Sequence, residues 1–214
     1  MALTLHIGDR KYSSWSLRGY LILARSGLPF DTNVILLDVD DTAANIATVS
    51  PAGRVPVLVD GDLHIWDSLA IAEYVNELAP DAKLWPADRA TRARARSISA
   101  EMHSSFVELR RNMPFDLGSS KPGVGHTPQT LADARRVQAI WLDALAASGG
   151  PFLFGNAFTI ADTMYAPVAT RFVTYGVSVD DTCRAYITTL EALPEMKRWR
   201  ADAAHEPVRT QLKL

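Results

Sequence analysis

The sequence predicts an α/β first half followed by an all-helical second half. Short apolar runs of the kind that form strands occur before Pro80, where they alternate with segments of helical spacing. Beyond Pro86 the apolar residues follow the helical period throughout. We therefore predict a first domain over residues 1–80, a linker over 81–87 and a helical domain over 88–214.

The first half is predicted to have the element order β-α-β-α-β-β-α. Residues 3–7 alternate between apolar and polar side chains, which is typical of a half-buried strand. Helical spacing then begins at Ser14 or Ser16 and stops at Gly27. The apolar run 34–39 predicts the second strand.

A β-hairpin is predicted after a weakly patterned segment over residues 42–49, to which we assign a short helix. The apolar stretches 57–59 and 63–65 flank residues 60–62, which contain a glycine and form a turn signal. A helix that opens at Asp67 completes the first half.

Amphipathic helices are predicted for the second half. Thr159 and Asp162 have the spacing of a capping box, and residues 131–145 carry the apolar stripe of another helix. A Pro- and Gly-rich loop over 114–128 precedes that stripe and is of a length that is often functional. The stripe before the loop predicts one helix face that contains Ile98, Met102, Phe106, Leu109 and Met113.

The composition excludes several classes of protein. The chain has 214 residues, 22 basic and 24 acidic, so its formal charge of -2 gives no overall attraction to nucleic acid or anionic membranes. Cys183 is the single cysteine, which excludes an internal disulfide, and no histidine spacing suggests a metal site. No apolar stretch approaches about 18 residues. We expect a cytoplasmic protein without a metal, whose partners are small molecules or proteins.

Two motifs of the first half suit a peptide-like ligand. Pro56 lies at the entrance of a predicted strand and belongs to the residue type that adopts cis peptide bonds, which would turn the Val55 backbone outward. Asp67 and Ser68 open a helix, where free N–H groups attract a carboxylate, and Asp67 also suits an ammonium. Taken singly, these residues are more simply explained as an edge-strand proline and helix caps, and it is their combination that points to a ligand.

Three serines lie between the first strand and the first helix, in the segment 12–18 (YSSWSLR). A thiol with a pKa near 8.5 is about 3% ionised at pH 7, and lowering that pKa by two units takes about 2.7 kcal/mol. The helix dipole offers about 0.3–1 kcal/mol, and a serine that donates to the thiolate adds roughly 1.5–3 kcal/mol. A serine of this segment is therefore either a thiolate donor or a helix cap.

The order of these motifs resembles the cytosolic glutathione transferases of bacterial type. The resemblance spans nearly the whole chain and implies a thioredoxin-like first domain, glutathione as co-substrate, a small electrophile as second substrate and a homodimer. The motifs that carry it are Ser-Ser-x-Ser-x-Arg at 13–18, Ser-Pro-Ala-Gly-Arg-Val-Pro-Val-Leu at 50–58 and Asp-Ser-Leu-Ala-Ile-Ala-Glu-Tyr at 67–74.

The resemblance also implies roles for single residues. Val55 would pair with the cysteinyl backbone of glutathione beside a cis Pro56, and Asp67 and Ser68 would hold its γ-glutamyl group. The helical domain would form the pocket for the second substrate. The candidates for that pocket, which otherwise belong to the helical core, are Phe106, Arg110 and Met113.

Three residues compete for the role of thiol activator. The serine pattern resembles the zeta class, whose alignment selects Ser13, whereas counting four residues back from Arg18, as in theta-like classes, selects Ser14. Tyr12 is the third candidate, because some classes use a tyrosine. The segment contains no cysteine, which argues against thiol-exchange chemistry.

The resemblance favours conjugation of the glutathione thiolate to small electrophiles, as in detoxification. One alternative is a glutathione-dependent cis-trans isomerase that resembles maleylacetoacetate isomerase, although that class usually has cysteine and glutamine where this chain has Trp15 and Asp67. A second alternative is a transferase-like module that binds glutathione or a protein without turnover.

Overall fold

A computed structural model describes residues 3–207 of the chain. Its first half has the predicted mixed architecture, and a short 3-10 turn (Pro80–Ala82) follows it. The elements of this half are β1 (Leu3–Gly8), α1 (Ser14–Ser26), β2 (Phe30–Ile35), α2 (Thr42–Ala47), β3 (Val57–Asp60), β4 (Leu63–Trp66) and α3 (Ser68–Leu78).

The four strands form a mixed sheet in the order β2-β1-β3-β4. β1 pairs with β2 in parallel and with β3 in antiparallel orientation, and β3 and β4 form the predicted hairpin. The pairing of His6 with Val57 brings the end of β1 next to the start of β3. The connection between β1 and α1 therefore lies beside the segment that contains Val55 and Pro56.

Within the described residues, the second half is built from helices. Asp88, Thr127 and Asp180 cap α4, α6 and α8 with their side chains. No helix between residues 3 and 207 has the length and apolar character needed to cross a bilayer. The helices are α4 (Arg89–Ser104), α5 (Val107–Asn112), α6 (Pro128–Ser148), α7 (Ile160–Tyr175), α8 (Asp181–Glu191) and α9 (Pro194–Ala204).

Helix α7 is the central element of the helical half. It is buried along nearly its whole length and packs against α4, α8 and α1 of the first half. The predicted capping box is present, with Asp162 accepting hydrogen bonds from the Thr159 N–H and hydroxyl, both at 2.8 Å. The Tyr186 hydroxyl of α8 donates to the same carboxylate at 3.0 Å. The start of α7 is therefore capped by side chains of the protein itself.

The second strand differs from its prediction. The apolar run predicts it over residues 34–39, whereas β2 spans Phe30–Ile35. β2 is an edge strand whose parallel register with β1 starts at Phe30, so backbone pairing rather than an apolar pattern defines it. The apolar residues Leu36 and Val39 lie beyond the strand and are exposed.

The first stripe of the helical half is not one helix. Ser105 is extended and Phe106 has a φ of 58°, and these two residues separate α4 from α5. Met102 before the break and Leu109 after it are both fully buried. The apolar pattern therefore identified the buried positions and missed the break, because neither residue at the break is a glycine or a proline.

Candidate active site

A cavity of about 630 Å³ has walls from both halves of the chain. The first half contributes Trp15 and the pairs Val55–Pro56 and Asp67–Ser68. The second half contributes His103 of α4 and Arg110 of α5. The fold thus brings three motifs that are distant in the sequence to one cavity.

Helix α3 begins at this cavity. Asp67 has a φ of 75° and caps the helix, with Oδ1 accepting from the Leu69 N–H at 2.8 Å and Oδ2 lying 2.6 Å from His103 Nε2. Ser68 lines the cavity but is just 3% exposed, and its buried hydroxyl has no hydrogen-bond partner among the described residues. An unpaired buried hydroxyl costs roughly 1–3 kcal/mol. A ligand acceptor at Ser68 is therefore favoured.

The Val55–Pro56 segment forms another part of the wall, immediately before β3. Its peptide bond is cis, as the family resemblance implies. Gly19 of α1 lies behind the proline, where an added Cβ would be 3.2 Å from the Pro56 ring. A glycine at this position permits the close approach of α1 to Pro56.

Ser13 is the N-cap residue of α1 and is 7% exposed. Its hydroxyl accepts a hydrogen bond from the Ser16 N–H at 3.2 Å and donates to the Ser16 hydroxyl at 2.7 Å. The Ser16 hydroxyl also accepts from the Gly8 N–H at 2.9 Å. The Ser13 proton is therefore used in a cap that joins β1 to α1.

Ser14 has different partners and is 6% exposed. Its hydroxyl accepts a hydrogen bond from Arg171 Nη2 at 3.2 Å, and its carbonyl accepts one from Arg18 Nη1 at 3.1 Å. Its hydroxyl proton has no acceptor among residues 3–207. Ser13 and Ser14 are not among the residues that line the cavity, to which this segment contributes Trp15. The Ser14 hydroxyl can therefore still donate a hydrogen bond, whereas the Ser13 hydroxyl already donates to Ser16.

Two arginines behind this loop are buried without carboxylate partners. Arg18 is 1% and Arg171 5% exposed, and within the described chain their hydrogen bonds go to carbonyl and hydroxyl oxygens. Burial lowers the pKa of Arg171 to about 10, so its guanidinium stays charged at pH 7. Burial, together with the charges of Arg171 and Arg110, lowers the pKa of Arg18 well below its usual value.

The sequence interpretation gave no role to Arg171. A signal was present, because the segment 160–175 (IADTMYAPVATRFVTY) contains just two charged residues among mostly apolar ones. On a helix buried all round, a charged side chain must face the interior. Such a residue then requires a hydrogen-bonding partner inside the protein.

Trp15, His103 and Arg110 form the wall on the side of the helical half. The Trp15 and His103 rings are 5.2 Å apart between centroids, and Arg110 Cζ lies 5.6 Å from the Trp15 ring centroid. Burial lowers the pKa of Arg110. This wall combines an aromatic surface with a partly buried cation.

Three other candidates from the sequence lie elsewhere. Phe106 and Met113, which were pocket candidates beside Arg110, are 5% and 0% exposed and belong to the hydrophobic core instead of the cavity lining. Tyr12 lines a separate cavity of about 250 Å³ together with Leu117. No group of three or more His, Cys, Asp or Glu side chains that suits a metal occurs in the described part of the chain.

Two models of one family match separate parts of the chain. Residues 12–78 match the family described as glutathione S-transferase, N-terminal domain, and residues 131–202 match glutathione S-transferase, C-terminal domain. The chain is 30% identical over 169 residues to a probable maleylacetoacetate isomerase of Caenorhabditis elegans, which covers 76% of this chain and 77% of the relative.

Two further proteins extend the comparison. The chain is 38% identical over 161 residues to glutathione S-transferase Z2 of Arabidopsis thaliana, covering 72% of this chain and 70% of the relative. A solved structure of a Burkholderia glutathione transferase homologue with bound glutathione superposes with a TM-score of 0.75 and 25% identity. That alignment covers 96% of this chain and 100% of the solved one.

Proposed function

Because the chain belongs to the glutathione S-transferase family, we propose that it binds glutathione in the described cavity and joins the glutathione sulfur to a small electrophile. The choice of cavity rests on Ser68, which lines it together with Val55 and Pro56 and whose buried hydroxyl has no partner within residues 3–207. A small peptide with a free α-carboxylate complements that wall.

The γ-glutamyl group would lie at the start of α3. Its carboxylate accepts from the hydroxyl and the backbone N–H of Ser68, because Asp67 Oδ1 already accepts from the Leu69 N–H, and the helix dipole favours an anion at this point. Its ammonium faces Asp67, whose side chain is 42% exposed although one oxygen contacts His103. The backbone of Val55 would pair with the cysteinyl residue in an extended conformation.

The glutathione sulfur would lie at the start of α1. The geometry there favours Ser14 over Ser13 as the donor, because the Ser13 hydroxyl already donates to Ser16. A charge-assisted hydrogen bond of roughly 1.5–3 kcal/mol, added to about 0.3–1 kcal/mol from the helix dipole, is of the size needed to lower the thiol pKa by two units.

The electrophile would be held against Trp15 and Arg110. In the transfer step the thiolate attacks an electrophilic carbon, an S–C bond forms, and the leaving group departs with the electron pair of the broken bond. The thiol proton is released to solvent before this step. Proximity and thiolate stabilisation supply the catalysis. We place the enzyme in the cytoplasm as a homodimer, in keeping with the family.

Calorimetry with glutathione tests this proposal. We expect wild-type protein to bind glutathione and the Asp67→Ala/Ser68→Ala variant to bind it at least tenfold more weakly. Ser97→Ala, an exposed position on α4, is the matched control and should bind like wild type. Absence of binding by the wild type at millimolar glutathione would refute the proposal and leave a protein-binding module.

A glutathione-dependent isomerase is the second candidate, favoured by the 30% identity to a probable maleylacetoacetate isomerase. Here the thiolate adds to a conjugated double bond, the adduct rotates, and elimination returns the sulfur to glutathione. Thiol titration during the reaction with a cis-unsaturated diketo acid separates the two activities. Product formation with stoichiometric loss of thiol indicates transfer, whereas product formation without that loss indicates isomerisation.

A further inference from the structure

We propose that Arg171 is a positioning residue that stabilises the glutathione thiolate through Ser14. The inference rests on the proposed function and extends it, since it makes a residue of the helical half part of the thiol-activating machinery. Arg171 donates a hydrogen bond to the Ser14 hydroxyl and is not among the residues that line the cavity, so we assign it a role through Ser14 and not through contact with the substrate.

The Arg171 guanidinium is held in one orientation. Nε donates to the Met113 carbonyl at 2.8 Å, Nη1 donates to the Pro167 carbonyl at 3.3 Å, and Nη2 donates to the Ser14 hydroxyl at 3.2 Å. Its Cζ also lies 5.5 Å from the Phe115 ring centroid. The two hydrogen bonds to backbone carbonyls thus orient the guanidinium so that Nη2 donates to Ser14 in the first half of the chain.

The charge of Arg171 is not balanced within the described chain. Buried ions are usually paired with an opposite charge, yet the nearby ionisable groups are the cations Arg18 and Arg110 and the neutral phenol of Tyr175. These surroundings disfavour a second cation and favour an anion. A thiolate at the start of α1 would supply the missing negative charge.

The direction of the hydrogen bonds makes Ser14 the link between Arg171 and the thiolate. Because its hydroxyl oxygen accepts a hydrogen bond from a guanidinium, the O–H bond is polarised and its proton is a stronger donor to an anion. Arg18 donates to the carbonyl of the same residue, which polarises the peptide unit that ends in the Trp15 N–H. Both arginines thus strengthen donors at the start of α1.

The experiment measures the pKa of enzyme-bound glutathione from the ultraviolet absorbance of the thiolate, after calorimetry has shown that each variant binds glutathione. Arg171→Gln removes the charge and keeps donors to the carbonyls, and Arg171→Lys keeps the charge. Thr170→Val is the control, because Thr170 is equally buried on α7 and bonds to Ala166 and Glu191 instead of Ser14.

We expect Arg171→Gln to raise the bound thiol pKa by about one unit, the size of shift that loss of a nearby opposite charge produces. Arg171→Lys should cause less than half that shift, and Thr170→Val should cause none. An unchanged bound thiol pKa in Arg171→Gln would overturn the proposal, as would equal pKa shifts in Arg171→Gln and Arg171→Lys. Neither result would contradict the binding of glutathione.

Ser14→Ala covers the case in which the Arg171 variants do not fold. Since Arg171 acts through this hydroxyl, Ser14→Ala should raise the bound thiol pKa by at least as much as Arg171→Gln. A bound thiol pKa in Ser14→Ala equal to that of the wild type would contradict the link by itself. Failure of the wild type to bind glutathione would instead contradict the proposed function.

Discussion

The starts of α1 and α3 face the same cavity but are built differently. At α3, both Asp67 and Ser68 line the cavity, and the Asp67 side chain is partly exposed. At α1, Trp15 lines the cavity, whereas Ser13 and Ser14 are not lining residues and Ser14 contacts two buried arginines. The comparison suggests two functions, with α3 holding the ligand in place and α1 setting the charge on its sulfur.

This difference has a physical basis. The residues that would hold the γ-glutamyl group line the cavity. Electrostatic stabilisation of an anion is stronger where water is excluded, so the buried arginines near α1 suit the stabilisation of a thiolate. Substitutions at the two helix starts should therefore change different measured quantities.

The largest effect is expected for Ser14→Ala. Loss of a charge-assisted donor of roughly 1.5–3 kcal/mol should lower kcat/KM at pH 7 about 10- to 100-fold. Steady-state kinetics with an aryl halide acceptor and varied glutathione measure it. A smaller loss than that of Ser13→Ala in the same assay would reverse the assignment of the two serines.

Ser68→Ala should affect binding instead. Removal of a buried donor to a carboxylate is expected to raise the KM for glutathione about tenfold, with kcat at saturating glutathione nearly unchanged. The same kinetic assay provides both values. A large fall in kcat would mean that α3 also contributes to the chemical step, and the division between the two helices would be lost.

Ser13→Ala is expected to act mainly on stability. Its hydroxyl caps α1, and loss of an N-cap typically costs about 1 kcal/mol of unfolding free energy. Denaturant unfolding of the free protein measures this change, while the KM for glutathione should stay near the wild-type value. Wild-type stability combined with a strong loss of activity would point to Ser13 as the thiolate donor.

His103→Ala should have the smallest effect. The contact between His103 and Asp67 is partly exposed, and such pairs contribute about 1 kcal/mol or less. We expect less than about a fivefold change in glutathione affinity by calorimetry. A change as large as that of Ser68→Ala would show that the helical half holds the γ-glutamyl site together.

The motifs that line the cavity could be predicted because each is local. A strand-initial proline and a serine at a helix start are visible in sequence, and the family resemblance supplied their common purpose. The partners of those residues could not be predicted. Whether Ser13 donates to Ser16, or Ser14 accepts from Arg171, depends on side-chain orientations and on contacts between distant elements.

The errors in the fold have the same origin. The extent of β2 is set by its register with β1, and the break between α4 and α5 occurs at Phe106, a left-handed residue that is not glycine. Apolar periodicity indicates neither the register of β2 nor the position of the break between α4 and α5. It did place Phe106 and Met113 on a buried stripe, but burial in the core and burial at a ligand give the same pattern.

The most direct test of this account is the pKa of glutathione bound to wild-type protein, Ser14→Ala and Ser68→Ala, followed by thiolate absorbance against pH. We predict a bound thiol pKa about two units below the ordinary value of about 8.5 in wild type and in Ser68→Ala, and a clear rise in Ser14→Ala. Equal shifts in the two variants, or a wild-type complex that titrates like a free thiol, would contradict the separation of binding from thiol activation.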